Sequence, residues 1–151
     1  MGARYGTSLY GQSLYGPGNE LDRWQLQLEL SGVWTDVSDD VRGQAPLVCA
    51  YGIDGDDPSD RVADTGTLSC ALDNSAQNSG ATLGYYAPFH PDRRPGFGFD
   101  IGCRWVLRHR GVDYYKFRGT VSGLDVVPGR YGSRITRLQA VDYMDDLARA
   151  T

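Results

Sequence analysis

Trp24-Gln25-Leu26-Gln27-Leu28-Glu29-Leu30 decides the fold class of this chain. Trp24, Leu26, Leu28 and Leu30 alternate with Gln and Glu, a period of two. Successive side chains of a β-strand point to opposite faces, so the stretch predicts a strand with one buried and one wet face. Ser31-Gly32 reads as a turn, and Val33-Trp34-Thr35-Asp36-Val37 as the returning strand of a hairpin.

The same reading extends along the chain. Residues 47–53 predict a third strand, bounded by Pro46 and Gly55, and residues 54–61 a polar loop. Residues 67–72 predict a fourth strand, with Leu68, Cys70 and Leu72 on one face. A second hairpin is expected from 103–110 and 112–121 around a turn at Gly111, with Tyr115, Phe117 and Val121 sharing one face. Residues 133–141 form the last expected strand. Asp142 then suits the N-cap of a short helix whose buried stripe is Tyr143, Met144 and Leu147, with Asp145 and Asp146 near its positive end. The expected architecture is mainly β: a small barrel or sandwich of six to seven strands, a short C-terminal helix and an extended N-terminal arm.

Two segments do not fit a strand pattern. In residues 1–20, Tyr5-Gly6, Tyr10-Gly11 and Tyr15-Gly16 recur every five residues, a period of neither strand nor helix. Such a stretch has no core of its own and reads as an assembly arm, with Tyr5, Tyr10 and Tyr15 as contacts, preceding a single domain at 21–151. Residues 75–102 form a long connection pinned by Pro88, Pro91 and Pro95. Loops of that length are commonly functional. Its Tyr85, Tyr86, Phe89, Arg93, Arg94 and Phe97 are expected to form a contact surface, since aromatic residues and Arg anchor interfaces.

Composition narrows the function. The 151 residues are 40% hydrophobic and 23% charged, enough apolar content for one core. The net charge of −4 is the wrong sign for a nucleic-acid binder. Charge is uneven: residues 36–64 are acidic and 93–110 basic, a pairing that suits neighbour-to-neighbour docking. Cys49, Cys70 and Cys103 are odd in number and widely spaced, which fits buried thiols better than a disulfide framework. No stretch reaches the roughly 18 apolar residues of a membrane span, and no signal-peptide core is evident near the start.

The chemistry-bearing motifs are missing or incomplete. His90 and His109 are the two histidines, and no His-Glu-x-x-His occurs. There is no Gly-x-Ser-x-Gly elbow, and the chain's one lysine, Lys116, is not in a phosphate loop. Asp54, Asp56, Asp57 and Asp60 resemble a calcium loop in composition, but Ser59 and Thr65 stand where an EF-hand needs Gly and Glu. No catalytic residue, cofactor or metal is therefore expected.

Several blocks, in order, resemble a family of small tail proteins of siphophages and related prophages. They are Trp34-Thr35-Asp36-Val37-Ser38-Asp39-Asp40-Val41; Arg61-Val62-Ala63-Asp64 with Gly66-Thr67-Leu68 and Leu72-Asp73-Asn74-Ser75; Gly84-Tyr85-Tyr86-Ala87-Pro88 with Gly96-Phe97; and Phe117-Arg118-Gly119-Thr120-Val121 through Pro128-Gly129 to residues 140–147. The resemblance implies a barrel like the first domain of tail hub or distal tail proteins. It implies a virion protein made in the host cytoplasm, assembling as a ring or trimer with itself and other baseplate proteins, without catalysis or membrane insertion. Larger hub proteins continue well beyond the block that ends at Leu147. The rival expectations are a carbohydrate- or receptor-binding module at the same location, and a small cell-wall hydrolase.

Overall fold

The computed structural model describes residues 23–43, 47–53, 63–129 and 134–143. The expected arm with Tyr5, Tyr10 and Tyr15, the polar loop 54–61 and, apart from Tyr143, the expected C-terminal helix lie outside these residues; Asp142, the expected N-cap, is the last residue of a strand. Seven strands are formed: β1 Arg23–Leu30, β2 Val33–Asp36, β3 Val48–Ile53, β4 Ala63–Asp73, β5 Gly102–His109, β6 Val112–Val127 and β7 Ile135–Asp142. All belong to one antiparallel sheet, in the order β2-β1-β5-β6-β7-β4-β3.

The two tight hairpins follow from local chemistry. Ser31 and Gly32 (φ 52° and 80°) join β1 to β2, and Arg110 and Gly111 (φ 50° and 77°) join β5 to β6. Positive φ at both central residues gives the turn whose twist matches that of paired strands. Glycine at the second position carries half of that strain without steric cost.

The sheet curls until its ends meet. After β2 the chain makes one short turn, Ser38–Asp40, and crosses to β4, where Val41 bridges Leu72 and Arg42 N–H donates to Ala71 O at 2.8 Å. Segment 33–42 thus touches β1 at one end and β4 at the other. The core confirms this closure: Leu26, Leu28 and Leu30 of β1 share one buried cluster with Leu68, Cys70 and Leu72 of β4, with Cys103, Phe117, Val121, Leu138 and Ala140 between them. Strands that far apart in a sheet share a core only if the sheet wraps around it. The architecture is a single barrel-like sheet rather than two sheets of a sandwich.

Two bulges set which side chains face inward on β6. Trp105 opposes Phe117 and Val106 opposes Tyr115, so Lys116 is an extra residue. Val121 opposes Ala140 and Gly123 opposes Gln139, so Ser122 is another. An extra residue reverses the alternation of a strand. This corrects the expected common face of Tyr115, Phe117 and Val121: Phe117 and Val121 are buried, while Tyr115 is on the outer face and 54% exposed.

Residues 74–101 form no strand, yet they belong to the core. Tyr86 and Phe97 are fully buried in it, with ring centroids 5.1 Å apart, edge to face. Asn74 organises the entry: its Oδ1 accepts from Tyr86 N–H at 2.9 Å and its N–H donates to Arg134 O. Asn78 Nδ2 donates to Ser75 O and Thr82 O, closing the first turns. Thr136 is buried on the inner face of β7, and its hydroxyl donates to Tyr86 O at 2.7 Å. The segment plugs the barrel at the end where β4 stops and β5 begins.

Candidate functional site

Three groups of side chains lie outside ordinary core packing. The first clamps the plug. Asp40, 4% exposed, accepts from Ser79 N–H at 2.7 Å and Ser79 Oγ at 2.6 Å. The Tyr86 hydroxyl also donates to Asp40 Oδ2, and accepts from Arg94 Nη1, which stands 3.7 Å from the same carboxylate. Burial, followed by the hydrogen bond to Asp40, pushes the Tyr86 hydroxyl above the usual phenol range. Arg94 lies 5.2 Å from the Tyr85 ring centroid. Asp40, Ser79, the Tyr86 hydroxyl and Arg94 Nη1 face one another, so the arrangement holds the plug down.

The structure divides the expected contact residues of the loop. Tyr86 and Phe97 are core, not surface, because the plug adds their rings to the buried cluster of the strands. Tyr85 packs against the core and Arg94 is spent in the clasp. Arg93 donates to Pro88 O at 2.6 Å and is exposed. Phe89 is 90% exposed.

The second group lies at the opposite end of the barrel. The inner row Leu26–Trp105–Phe117 is core, and the next row outward is Trp24–Leu107–Tyr114, followed by His109 opposite Val112. Trp24, Tyr114 and Val112 are 43%, 47% and 51% exposed. This apolar row continues the core face past the point where the barrel closes over it. Sequence reading placed Trp24 with the buried leucines. It does share their face, but it stands one row beyond them.

The third group is on the outer face. Gly102 has no side chain, and a Cβ there would meet Glu29 Oε2 at 2.6 Å and the Trp34 ring at 2.7 Å. The space lets Trp34 lie across the sheet. The Arg104 guanidinium stacks 4.1 Å from the Trp34 centroid and 5.3 Å from that of Tyr115, and its Nε donates to Gln27 Oε1 at 2.6 Å. Val106, between Gln25 and Tyr115, is 1% exposed but lies outside the core cluster, so this face has an apolar floor of its own. Sequence reading missed this group because a bulge decides which residues oppose each other.

Part of the expected acidic and basic stretches is paired within the described residues. Arg23 lies 3.4 Å from Asp36 and 3.6 Å from Asp39, and Asp40 is buried beside Arg94. Arg108 binds both oxygens of Asp113 at 2.7 and 3.1 Å, which holds that carboxyl below its usual range.

Cys49, Cys70 and Cys103 are free thiols, as expected, and burial pushes Cys70 up to about 12. Among the described residues no group of three or more His, Cys, Asp or Glu is placed to hold a metal ion, and no helix is long and apolar enough to cross a membrane. Neither a protein-family model nor a curated protein sequence matches the chain.

Proposed function

We propose that this chain is a structural subunit of a phage-type tail tip, a hub or distal-tail adaptor that assembles into a ring or trimer with itself and other baseplate proteins and performs no catalysis. The family resemblance of its sequence blocks is the origin of this reading. One observation of the fold supports it: the row Trp24, Leu107, Val112 and Tyr114 is an apolar extension of the core face that the barrel leaves uncovered. Exposed aromatic residues continuous with a core face are what an assembly contact buries. Phe89, on the plug, is a second exposed anchor of the same kind. The plugged, closed barrel supplies the rigid support that a ring subunit needs.

The test is solution mass by light scattering for the full chain, for a Trp24→Ser/Tyr114→Ser variant and for a chain lacking residues 2–18. A defined oligomer that loses subunits in the first variant supports the reading. Loss of mass in the truncated chain, with its unfolding midpoint unchanged, assigns residues 2–18 to assembly. A full chain that stays monomeric alone and in mixtures with baseplate proteins refutes the reading. The rival carbohydrate-binding reading is favoured by the aromatic outer face around Trp34 and Tyr115; glycan binding by a chain that stays monomeric, alone and with baseplate proteins, selects it over assembly.

A further inference from the structure

The outer face of β5 and β6 holds positive charge that no described acid pairs directly. Arg104 and Arg118 sit directly opposite each other across the two strands. Lys116, the extra residue of the bulge, is exposed two positions away. Like charges facing each other across adjacent strands are destabilising. Among the described residues, neither Arg118 nor Lys116 has a hydrogen-bond or ion-pair partner. Arg104 is held in place without an ion pair: its direct partners are the amide of Gln27 and the rings of Trp34 and Tyr115, and Asp113 feels its charge only at longer range. The nearby Asp113 is engaged by Arg108 through both oxygens. The result is an oriented guanidinium, a second opposite it and an ammonium beside them, over the apolar floor of Val106.

We propose that this face binds an anionic glycan, a sugar chain carrying phosphate or carboxylate groups, with Arg104, Arg118 and Lys116 on the oxyanion. An oxyanion between the two guanidiniums converts a repulsive pair into two charge-assisted contacts. The features around the charges select a sugar chain. Tyr115 and Trp34 offer ring surface beside the arginines, and Gln25 and Gln27, joined by a 2.7 Å hydrogen bond, present amides in adjacent rows. An open sheet face accommodates an extended chain, whereas a small molecule is usually enclosed in a concavity. Glu29, Asp36 and Asp113 border the same face and, with the net charge of −4, disfavour a long polyanion such as nucleic acid. The proposal is independent of the assembly reading, since it uses the opposite face of the hairpin.

The test is calorimetric titration of the full chain at low salt with trigalacturonate and with a short phosphorylated mannose oligosaccharide, the two arms separating carboxylate from phosphate. Neutral dextran and a 20-nucleotide single-stranded DNA serve as comparisons. Binding to at least one anionic glycan, weakened at least tenfold by 0.5 M salt and absent with dextran, is expected. Arg118→Glu should reduce that binding at least tenfold and raise the thermal midpoint by placing a carboxylate opposite Arg104. A residue with only a structural role does not give those opposite signs. Failure of both glycans to bind, equal binding of DNA, or full binding by the Arg118→Glu protein overturns the proposal. The oligomer mass of the same variant, expected to match the parent, keeps this outcome separate from the assembly test.

Discussion

Replacing Tyr86 by Ala tests whether residues 74–101 are part of the barrel or a contact loop laid on it. The side chain is fully buried among core residues and its hydroxyl bonds to Asp40 and Arg94. Removing a buried aromatic ring costs about 3–5 kcal/mol from lost transfer energy and the cavity left behind. Leaving the Asp40 carboxylate and the Arg94 guanidinium short of a partner adds to this, so about 5 kcal/mol is a fair expectation. That is a large share of the roughly 5–15 kcal/mol that holds a domain together. Tyr86→Phe keeps the ring and loses only the hydroxyl, and should cost about 1.5–3 kcal/mol. Phe89→Ala, three residues along the same loop, removes a side chain that is 90% exposed and should stay within about 0.5 kcal/mol. The assay is urea unfolding followed by tryptophan fluorescence. With a slope of about 2 kcal/mol per molar urea, Tyr86→Ala moves the midpoint down by about 2.5 M and Phe89→Ala by less than about 0.3 M. If the Tyr86→Ala and Phe89→Ala midpoints agree within that margin, the plug opens independently of the barrel and the core assignment is wrong.

Burial keeps the Cys70 and Cys103 thiols protonated well above their ordinary range, up to about 12 for Cys70. In the unfolded chain they ionise near pH 9, so this contribution is complete below that pH and is lost as pH rises toward the folded values, by about 1.4 kcal/mol per thiol per pH unit; urea midpoints should fall between pH 8 and 10, and a Cys70→Ala/Cys103→Ala protein should show a flatter profile. In the native protein at pH 8 neither thiol should react with an aromatic disulfide reagent within minutes, and both should react at once in 8 M urea. Deleting Lys116 removes the extra residue of the bulge and leaves Phe117 opposite Trp105 and Tyr115 opposite Val106; the deletion should keep a cooperative unfolding transition, whereas deleting Thr120 inverts the alternation that buries Phe117 or Val121 and should abolish it.

The strands were legible where one face is wet and the other dry. In β1 the alternation from Leu26 to Leu30 is the burial pattern itself, and in β4 Leu68, Cys70 and Leu72 are all buried as expected. Turn chemistry was legible at Ser31-Gly32 and at Gly111, although Arg110, read into the strand 103–110, is the first residue of its turn. The plug was not legible, because its partners are remote: Asp40 lies 46 positions from Tyr86 and Thr136 lies 50. Aromatic and proline content marked residues 75–102 as unusual, but nothing local separates a buried Tyr86 from an exposed Phe89. Tertiary contact alone makes that distinction.

The outer face was hidden for a different reason. Period-two reading assumes that alternation is unbroken, and β6 breaks it at Lys116 and again at Ser122. Without the first bulge in the count, Tyr115 falls on the core face with Phe117. With it, Tyr114 turns inward to the apolar row of Trp24 and Leu107, while Tyr115 turns outward beside Arg104. Adjacent tyrosines therefore serve the two surfaces on which the proposals rest. The bulge also makes room for an exposed lysine next to two opposed arginines, an arrangement that core packing does not require. Packing explains why Phe117 is where it is; it gives no reason for Arg104, Lys116 and Arg118 to share one face. A ligand that binds there supplies that reason, and the opposite signs expected for stability and binding in Arg118→Glu are its direct consequence.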